Sequence, residues 1–323
     1  ALALAPNDID IRWNRSMSLI ALGDYINGWR EFEVRWQSDN VLAQAARNFN
    51  QPLWKGDTLN GKTLLIHSEQ GFGDSLNFIR YTKLINKGSG RLIVECPKPL
   101  VTLFKEVPEI DHIVTTGEKL PNFDWHCPMM SLPYVMQTAL ETIPANVPYL
   151  SVPEQTVINW GKKLPANKPK IGLVWSGGAR IGNEQLLSVD RRRSLQLSDF
   201  KQLLEIAELQ FFSLQIGEPA KQIRSAGFED KIIDLSENIR DFADTAAIIA
   251  NLDLVVSVDT AVAHLAGALN KPIWMLLRKG CWRWLQERQD SPWYPSMRIF
   301  RQPEIGDWQS VIDSIYDELQ EAY

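Results

Sequence analysis

Short apolar runs alternate with helical segments through most of this chain, and that alternation restricts its fold more than any other feature of the sequence. Nearly every run is continuous in Val, Ile and Leu, as expected for strands with both faces covered. A repeated strand and helix order predicts a parallel sheet. The predicted strands cover residues 62–67, 91–95, 112–115, 125–129, 170–175, 210–215, 232–235, 254–258 and 273–277. The predicted helices among them cover 74–85, 99–105, 197–206, 220–225, 241–250 and 260–269.

A proline-rich stretch divides these elements into two blocks. Pro144, Pro148, Pro153 and Pro165 interrupt a segment with little apolar periodicity, which we interpret as a crossover between domains. The chain has 323 residues, more than one hydrophobic core usually supports. We therefore predict an α/β fold with two Rossmann-like, doubly wound domains, at residues 60–150 and 168–305, followed by a C-terminal helix within 306–323.

Residues 1–40 have a helical period instead. Trp13 and Ile20 share one face of a first predicted helix, and Trp29 and Phe32 share one face of a second. The turn at 21–25, with its Leu-Gly pair and tyrosine, resembles a tetratricopeptide repeat. One repeat cannot bury its own face, so this short all-α hairpin is expected to pack on the next domain or to have lost neighbours by truncation. The missing initiator Met favours a trimmed fragment.

Charge and composition exclude several classes of partner. A formal net charge of -5 without a long basic run argues against nucleic acid or an anionic membrane as the main partner. Cys96, Cys127 and Cys281 lack metal-ligand or redox spacing, and we expect buried thiols in a reducing compartment. No apolar stretch is long enough for a membrane span, and residues 1–5 lack the features of a signal peptide. The predicted location is cytoplasmic.

The first candidate site is the Gln-Gly-Phe-Gly-Asp turn at 70–74, between the first strand and its helix. Gly71 and Gly73 allow a tight turn and a close backbone approach, and the start of the helix exposes N–H groups. Asp74 has two interpretations. Spacing alone favours a helix cap, and the alternative is a general base that takes a proton from an acceptor hydroxyl.

The second candidate site is the segment 257–268, where a strand turns directly into a helix. Thr260 and His264 are four residues apart and share a helical face, while Ala261 is one of several small residues that permit close approach. A helix N-terminus with a hydroxyl and an imidazole suits an anion such as a diphosphate. Alternatively, Asp259 is a simple N-cap and His264 an ordinary core histidine.

The third candidate site follows the first strand of the second block. Ser176 and Gly177 form a glycine-containing strand end of the kind that cradles phosphate, and Gln215 ends the next strand. The polar loop that follows, with Gly182 and Asn183, is predicted to be a mobile lid.

Arg193 and Ser194 end the run 191–194, and arginine side chains suit phosphate oxygens. Such a charge run is also typical of a solvated loop. Both interpretations remain open on the sequence.

An aromatic-rich stretch at 281–295 offers stacking surfaces for a base or a sugar ring, although packing between domains is the favoured use of its rings. No metal site is predicted. The four histidines are scattered, and the one Asp-x-Asp pair, Asp8 and Asp10, lies in the helical hairpin.

Taken together, the Gly-Phe-Gly-Asp turn and the segment Ser-Val-Asp-Thr-Ala-Val-Ala-His-Leu-Ala-Gly-Ala-Leu resemble the heptosyltransferase-type glycosyltransferases of family nine. The whole chain more closely resembles bacterial tetratricopeptide-repeat proteins that end in such a domain, through the phrases at 28–36, 241–246 and 291–295. The resemblance implies the two-domain GT-B fold and a metal-independent inverting transfer in the cleft between the domains. It implies no cofactor, because the nucleotide-sugar donor is a substrate.

The resemblance also implies roles for individual residues. It makes Asp74 the general base. It places the donor diphosphate on the helix that begins at Asp259 and Thr260, with His264 close by, and on the loop at 176–177.

Two positions depart from the family pattern. Ala261 stands where heptosyltransferases usually have glycine, and Arg193 is the nearest substitute for the lysine of their phosphate loop. The resemblance therefore does not specify heptose or ADP. We predict a transferase that moves a sugar from a nucleotide-sugar to a hydroxyl of a glycan or protein, with the hairpin available to a protein partner. The alternatives are a non-catalytic binding module and an epimerase, which would need a carboxylate pair that the sequence does not identify.

Overall fold

Two compact units make up the chain in a computed structural model. Unit 1 comprises Ala1–Asn146 and Cys281–Glu287, and unit 2 comprises Val147–Gly280 and Arg288–Tyr323. The structure describes residues 5, 7–37, 46–165, 167–178 and 184–323, with the backbone alone at 184–187 and 189. Gly182 and Asn183 of the predicted lid lie outside the described residues, as do residues 1–4, 6 and 38–40 of the predicted hairpin.

Unit 1 combines two N-terminal helices with a small sheet and its helices. Its α-helices are α1 Ile9–Ala21, α2 Tyr25–Phe32, α3 Phe72–Phe78, α4 Lys98–Phe104 and α5 Leu132–Val135. Its strands are β1 Thr63–His67, β2 Arg91–Cys96, β3 His112–Thr115 and β4 Trp125–Pro128. Its 3₁₀ helices are Glu33–Gln37, Ile79–Leu84, Met129–Ser131 and Leu140–Thr142.

The sheet of unit 1 is parallel and has the strand order β3-β2-β1-β4. Leu65, Ile93 and Val114 form a buried cluster on one face, with Phe49 and Phe123 packed against it. The chain proceeds from β1 through β2 to β3 on one side, whereas β4 pairs with the other side of β1. The strand order therefore reverses between β1 and β4, and such reversal points are where open α/β sheets bind ligands at their carboxyl ends.

The aromatic face of the N-terminal helices is covered within unit 1. The ring of Trp29 lies 5.6 Å from that of Phe78 in α3 and 6.5 Å from that of Trp282. Phe32 also contacts Trp282, with ring centres 6.2 Å apart. The helices thus pack on the neighbouring α/β elements, which is one of the two ways in which the sequence analysis expected their apolar face to be accounted for. Their likeness to a tetratricopeptide repeat stays a prediction.

Unit 2 is a larger α/β sandwich. Its α-helices are α6 Glu154–Gly161, α7 Glu184–Arg193, α8 Lys201–Leu204, α9 Gln222–Ser225, α10 Phe242–Ala250, α11 Ala261–Ala268 and α12 Gln309–Ala322. Its strands are β5 Lys170–Val174, β6 Gln210–Ser213, β7 Ile232–Asp234, β8 Leu254–Val258, β9 Ile273–Leu277 and β10 Met297–Arg301. Its 3₁₀ helices are Leu197–Phe200, Glu218–Lys221 and Ser236–Asn238.

The six strands of unit 2 are parallel and follow the order β10-β9-β8-β5-β6-β7. Strand β5 lies at the centre, and the chain winds outward from it in both directions. The order therefore reverses between β5 and β8, which pair with Val174 opposite Ser257. The segments that follow these two strands meet at the reversal point of this sheet.

The predicted parallel α/β organisation is confirmed, with four differences in local structure. The predicted helix 74–85 is α3 followed by the 3₁₀ helix Ile79–Leu84. The proline-rich crossover contains α6, and the arginine run 191–193 ends helix α7 rather than lying in a loop. Strand β10 was absent from the prediction. The predicted second domain, 168–305, also spans Cys281–Glu287, which packs in unit 1.

All three cysteines are buried free thiols, as predicted. In the part of the chain that the structure describes, no helix combines the length and the apolar character needed to cross a bilayer.

Candidate functional site

Asp74 lies in the first turn of α3, directly after the turn that ends β1 at the reversal point of the first sheet. Its Oδ2 accepts a hydrogen bond of 3.1 Å from the Gly71 backbone N–H, so the carboxylate reaches back to the residue that begins the helix. The capping contact that spacing favoured is therefore present. It occupies one carboxylate oxygen and leaves acceptor capacity, because each oxygen has two lone pairs.

Arg283 is the second partner of this carboxylate, and its guanidinium forms an ion pair with Asp74 Oδ1. Both side chains are largely buried, with 12% of Arg283 and 15% of Asp74 exposed. The guanidinium also lies 4.6 Å from the ring centre of Trp282 and 5.8 Å from that of Phe78. Sequence reasoning assigned this aromatic stretch to packing and missed Arg283 as a partner of the candidate base.

A buried charge network supports the same turn from behind. The Arg35 guanidinium is fully buried and donates to Glu69 Oε1 at 3.0 Å, to Glu33 Oε1 at 2.6 Å and to Ser131 Oγ at 2.8 Å. Burial raises the pKa of Glu69 to about 7, although the neighbouring Arg35 charge acts in the opposite direction. The network links the N-terminal helical segment to the residue that precedes the glycine turn.

The loop after β5 gathers the third candidate site of the sequence. The Ser176 N–H donates to Gln215 Oε1 at 2.9 Å, and the Gly177 N–H donates to Ser194 Oγ at 3.0 Å. Ser176 Oγ and Ser194 Oγ are 3.3 Å apart. The structure thus brings together four of the predicted donor-binding residues, through side chains that hold the backbone of the loop predicted to bind phosphate.

Arg193 connects this loop to the second candidate site. Its Nη1 donates to the Asp259 carbonyl oxygen at 2.8 Å, and its Nε donates to Asp190 Oδ1 at 2.9 Å. A Cβ on Gly177 would lie 2.7 Å from Arg193 Nη2, so the glycine makes room for the guanidinium. The arginine therefore joins the ends of β5 and β8, with a quarter of its side chain still exposed at 25%.

Helix α11 begins at the reversal point of the second sheet. Thr260 is its N-cap residue, with extended backbone angles, so the alternative that Asp259 is the N-cap is wrong. Thr260 Oγ1 lies 3.0 Å from Ser257 Oγ, and Ala261 is the first helical residue. Thr260 makes no side-chain hydrogen bond to the helix, and the first-turn N–H groups of a helix are the ones that suit an anion.

His264 lies one turn into α11 and is buried, with 4% of the residue exposed. Its Nδ1 lies 2.9 Å from the Tyr294 hydroxyl, and its Nε2 lies 4.0 Å from Asp259 Oδ1. The side chain is thus buried, as the core-histidine alternative requires, and is also at the predicted anion site.

A pair of buried histidines lies outside these segments. His67 Nε2 is 3.3 Å from His126 Nδ1, under the ring of Phe49. Burial, together with the nearby His126, lowers the pKa of His67 to about 3, so its ring is neutral at physiological pH. Among the described residues, no group of three or more His, Cys, Asp or Glu side chains is arranged to hold a metal ion.

Two parallel sheets, each with polar residues gathered at its reversal point, define an α/β protein of the GT-B type. Residues 225–279 match the sequence model of glycosyltransferase family 9 (heptosyltransferase). This segment includes β8 and α11, and therefore the candidate anion site at Thr260 and His264.

Comparison with solved structures gives the same fold. ADP-heptose LPS heptosyltransferase II of E. coli is 14% identical, with a TM-score of 0.53 over 81% of this chain and 100% of that one. A family 9 glycosyl transferase from Veillonella parvula is 9% identical, with a TM-score of 0.57 over 83% and 98%. E. coli heptosyltransferase WaaC, solved with ADP-2-deoxy-2-fluoro heptose, is 10% identical, with a TM-score of 0.52 over 81% and 100%.

Protein FlbA of Caulobacter vibrioides is 29% identical over 351 aligned positions, which span 98% of this chain and 56% of that protein. The chain thus covers little more than half the length of this relative. The family match and the structural neighbours together support a glycosyltransferase.

Proposed function

We propose that this chain transfers a sugar from a nucleotide-sugar to an acceptor hydroxyl, with inversion at the anomeric carbon and without a metal ion. The observation that carries the proposal is the convergence of Arg193, the loop 176–177 and the first turn of α11 at the reversal point of the second sheet. An arginine, here ion-paired with Asp190, and a helix N-terminus at one place suit the two phosphates of a nucleoside diphosphate.

In the proposed reaction, Asp74 accepts the proton of the acceptor hydroxyl as its oxygen attacks the anomeric carbon. The bond from that carbon to the donor phosphate breaks, and the nucleoside diphosphate leaves with the electron pair. Arg193, His264 and the N–H groups of α11 stabilise its negative charge, which is the task that a divalent cation performs in metal-dependent transferases. Attack opposite the leaving group inverts the configuration.

The division of labour is part of the proposal. Residues 60–150 would bind the acceptor, and residues 168–305 would bind the donor. Glycan or protein hydroxyls are the acceptor class, and the N-terminal hairpin would receive a protein partner in the cytoplasm as a tetratricopeptide-like unit. In support, Leu22 and Ile26 are 75% and 46% exposed on that hairpin, which leaves apolar surface for contact.

The donor site is tested by thermal-shift titration with ADP, UDP, GDP, CDP and CMP and their sugars, in the presence of EDTA. The structural neighbour WaaC was solved with an ADP-sugar, so ADP is the first compound to titrate. A ligand at a hundred times its dissociation constant adds about 2.7 kcal/mol to the free energy of unfolding. We expect one nucleoside diphosphate to raise the melting temperature selectively.

Variants sharpen this test. Arg193→Gln should weaken binding of that nucleotide, whereas Arg192→Gln, an exposed neighbour on the same helix, should not. Asp74→Asn should retain nucleotide binding and lose transfer. The absence of a shift with every nucleotide would contradict the proposal and favour the non-catalytic binding module.

A further inference from the structure

Tyr294 lies in the Ser-Pro-Trp-Tyr-Pro motif at 291–295, to which the proposed function gives no role. Its hydroxyl is 2.9 Å from His264 Nδ1. We propose that Tyr294 is a positioning residue, which fixes the imidazole of His264 so that its Nε2–H is directed at the donor diphosphate. This inference rests on the proposed function, because it assigns the diphosphate to the first turn of α11.

Tyr294 is held rigidly in the interior of unit 2. The residue is fully buried, and its ring lies directly against the backbone of Gly267 in α11. A Cβ at Gly267 would be 2.4 Å from Tyr294 Cγ and Cδ1, so only glycine lets the ring approach this closely. The tyrosine hydroxyl therefore has one well-defined location relative to the helix that carries His264.

A second tyrosine extends the contact. The Tyr149 hydroxyl lies 3.4 Å from the Tyr294 hydroxyl. The backbone N–H of Tyr149 donates to the Ala268 carbonyl oxygen at 3.0 Å, which fastens this segment to the C-terminal end of α11. The three side chains form a buried chain of polar groups, from Tyr149 through Tyr294 to His264.

The proposal assigns one direction to each of these two hydrogen bonds. A neutral histidine has one nitrogen that donates and one that accepts. When Tyr149 donates to Tyr294 and Tyr294 donates to His264 Nδ1, the remaining proton of the ring is on Nε2. That nitrogen is on the side of Asp259, at 4.0 Å from its Oδ1, and an N–H there can donate to a phosphate oxygen.

The hydroxyl of Tyr294, rather than its ring, carries this inference. A phenylalanine would fill the same volume against Gly267 and would leave His264 Nδ1 without this partner. Tyr294→Phe therefore separates packing from positioning. Tyr316→Phe on α12 of the same unit is the matched control, because it removes a tyrosine hydroxyl from a helix that packs against β10 and the 3₁₀ helix Leu197–Phe200.

The first readout is the ¹⁵N NMR spectrum of the histidine rings in the whole chain. The chain has four histidines and therefore few ring-nitrogen signals. The two signals that disappear in His264→Gln are those of His264. We expect the unaltered protein to have His264 in the Nε2–H form, and Tyr294→Phe to shift both ring nitrogens toward a mixture of the two forms. Tyr316→Phe should leave them unchanged.

The second readout is the dissociation constant for ADP, UDP, GDP and CDP. Loss of one hydrogen bond that orients a ligand group should weaken the nucleotide that binds by about three- to tenfold. The double variant Tyr294→Phe with His264→Gln should bind no more weakly than His264→Gln alone, because the tyrosine acts through the histidine.

The inference is overturned if Tyr294→Phe leaves the His264 nitrogen signals and the nucleotide affinity unchanged, or if the two variants have additive effects on affinity. If no nucleoside diphosphate binds the unaltered protein, the proposed function fails. The nitrogen signals then decide alone whether Tyr294 positions His264.

Discussion

Arg283 and Asp74 form an ion pair between residues 209 positions apart in the sequence, and the pair occupies the carboxylate proposed as the general base. Two donors therefore orient that carboxylate, the Arg283 guanidinium on Oδ1 and the Gly71 N–H on Oδ2. Such a carboxylate is held in one rotamer, and preorganised geometry of this kind lowers the cost of reaching the transition state.

Arg283→Gln is expected to lower kcat for sugar transfer while leaving the KM for the donor nearly unchanged. General base catalysis contributes about 10²- to 10⁴-fold to a reaction rate, so Asp74→Asn should lower kcat by a factor in this range. Arg283→Gln should lower kcat by no more than Asp74→Asn does. The double variant Asp74→Asn with Arg283→Gln should have the same kcat as Asp74→Asn alone, because the arginine acts through the aspartate. Initial-rate kinetics on the purified variants give these values.

The control for that experiment is Arg288→Gln, since Arg288 pairs with Asp290 at the surface, with exposed fractions of 41% and 64%. Multiplicative losses in the double variant would mean that Arg283 acts independently of Asp74. Full turnover by Asp74→Asn would reject the base assignment itself.

Glu69 should make the free energy of unfolding depend on pH. Its pKa rises from 4.5 to about 7 in the folded protein, so the folded state holds the proton more tightly. This contribution is fully present below pH 4.5 and is lost as the pH rises through about 7. It amounts to roughly 3 kcal/mol at 1.36 kcal/mol per pKa unit.

Denaturant unfolding at a series of pH values from about 4 to about 8, which brackets the two pKa values of Glu69, measures the effect. Glu69→Gln should be less sensitive to rising pH than the unaltered protein. Glu31→Gln, on helix α2, should follow the unaltered protein. Parallel curves for Glu69→Gln and the unaltered protein would contradict the prediction.

His67 should have the opposite dependence. Burial lowers its pKa from 6.5 to about 3, so its contribution to stability is present above pH 6.5 and is lost as the pH falls through about 3. His67→Gln is therefore expected to lose less stability on acidification than the unaltered protein does. Thermal unfolding along a pH series tests this, with His112→Gln as the control because His112 is exposed. An unchanged acid loss in His67→Gln would exclude this histidine as its cause.

Gly267→Ala should destabilise unit 2. The added methyl group would lie 2.4 Å from the Tyr294 ring, and overpacking of this kind costs about 1–3 kcal/mol. Gly178→Ala is the control, because a Cβ there has no neighbour within 4 Å among the residues that the structure describes. The two melting temperatures should separate clearly, and equal values would mean that Tyr294 can move without cost.

The sequence predicted those elements in which local pattern and final environment agree. Strands 112–115, 254–258 and 273–277 match β3, β8 and β9 to the residue, because each contains a short apolar stretch that ends at polar residues or proline. The sequence did not indicate β10 because Arg298 and Arg301 break up its short apolar run at the edge of the sheet. Helix α7 escaped because three consecutive arginines obscure any helical period.

Some residues of the candidate site could likewise be predicted from local pattern, and others could not. Asp74, Thr260 and His264 follow or begin elements that the pattern locates, so their places at the ends of β1 and β8 could be predicted. Arg283 and Tyr294 act on residues 209 and 30 positions away, and local periodicity contains no information about such contacts. Both were visible only as members of an aromatic-rich stretch.

The segment Cys281–Glu287 leaves unit 2 after Gly280, packs in unit 1 and returns to unit 2 at Arg288. During synthesis, which proceeds from the N-terminus, Trp29, Phe32 and Asp74 emerge long before Trp282 and Arg283 do. Unit 1 is therefore the first to begin emerging from the ribosome, yet its aromatic face lacks Trp282 until Val147–Gly280, most of unit 2, has been made.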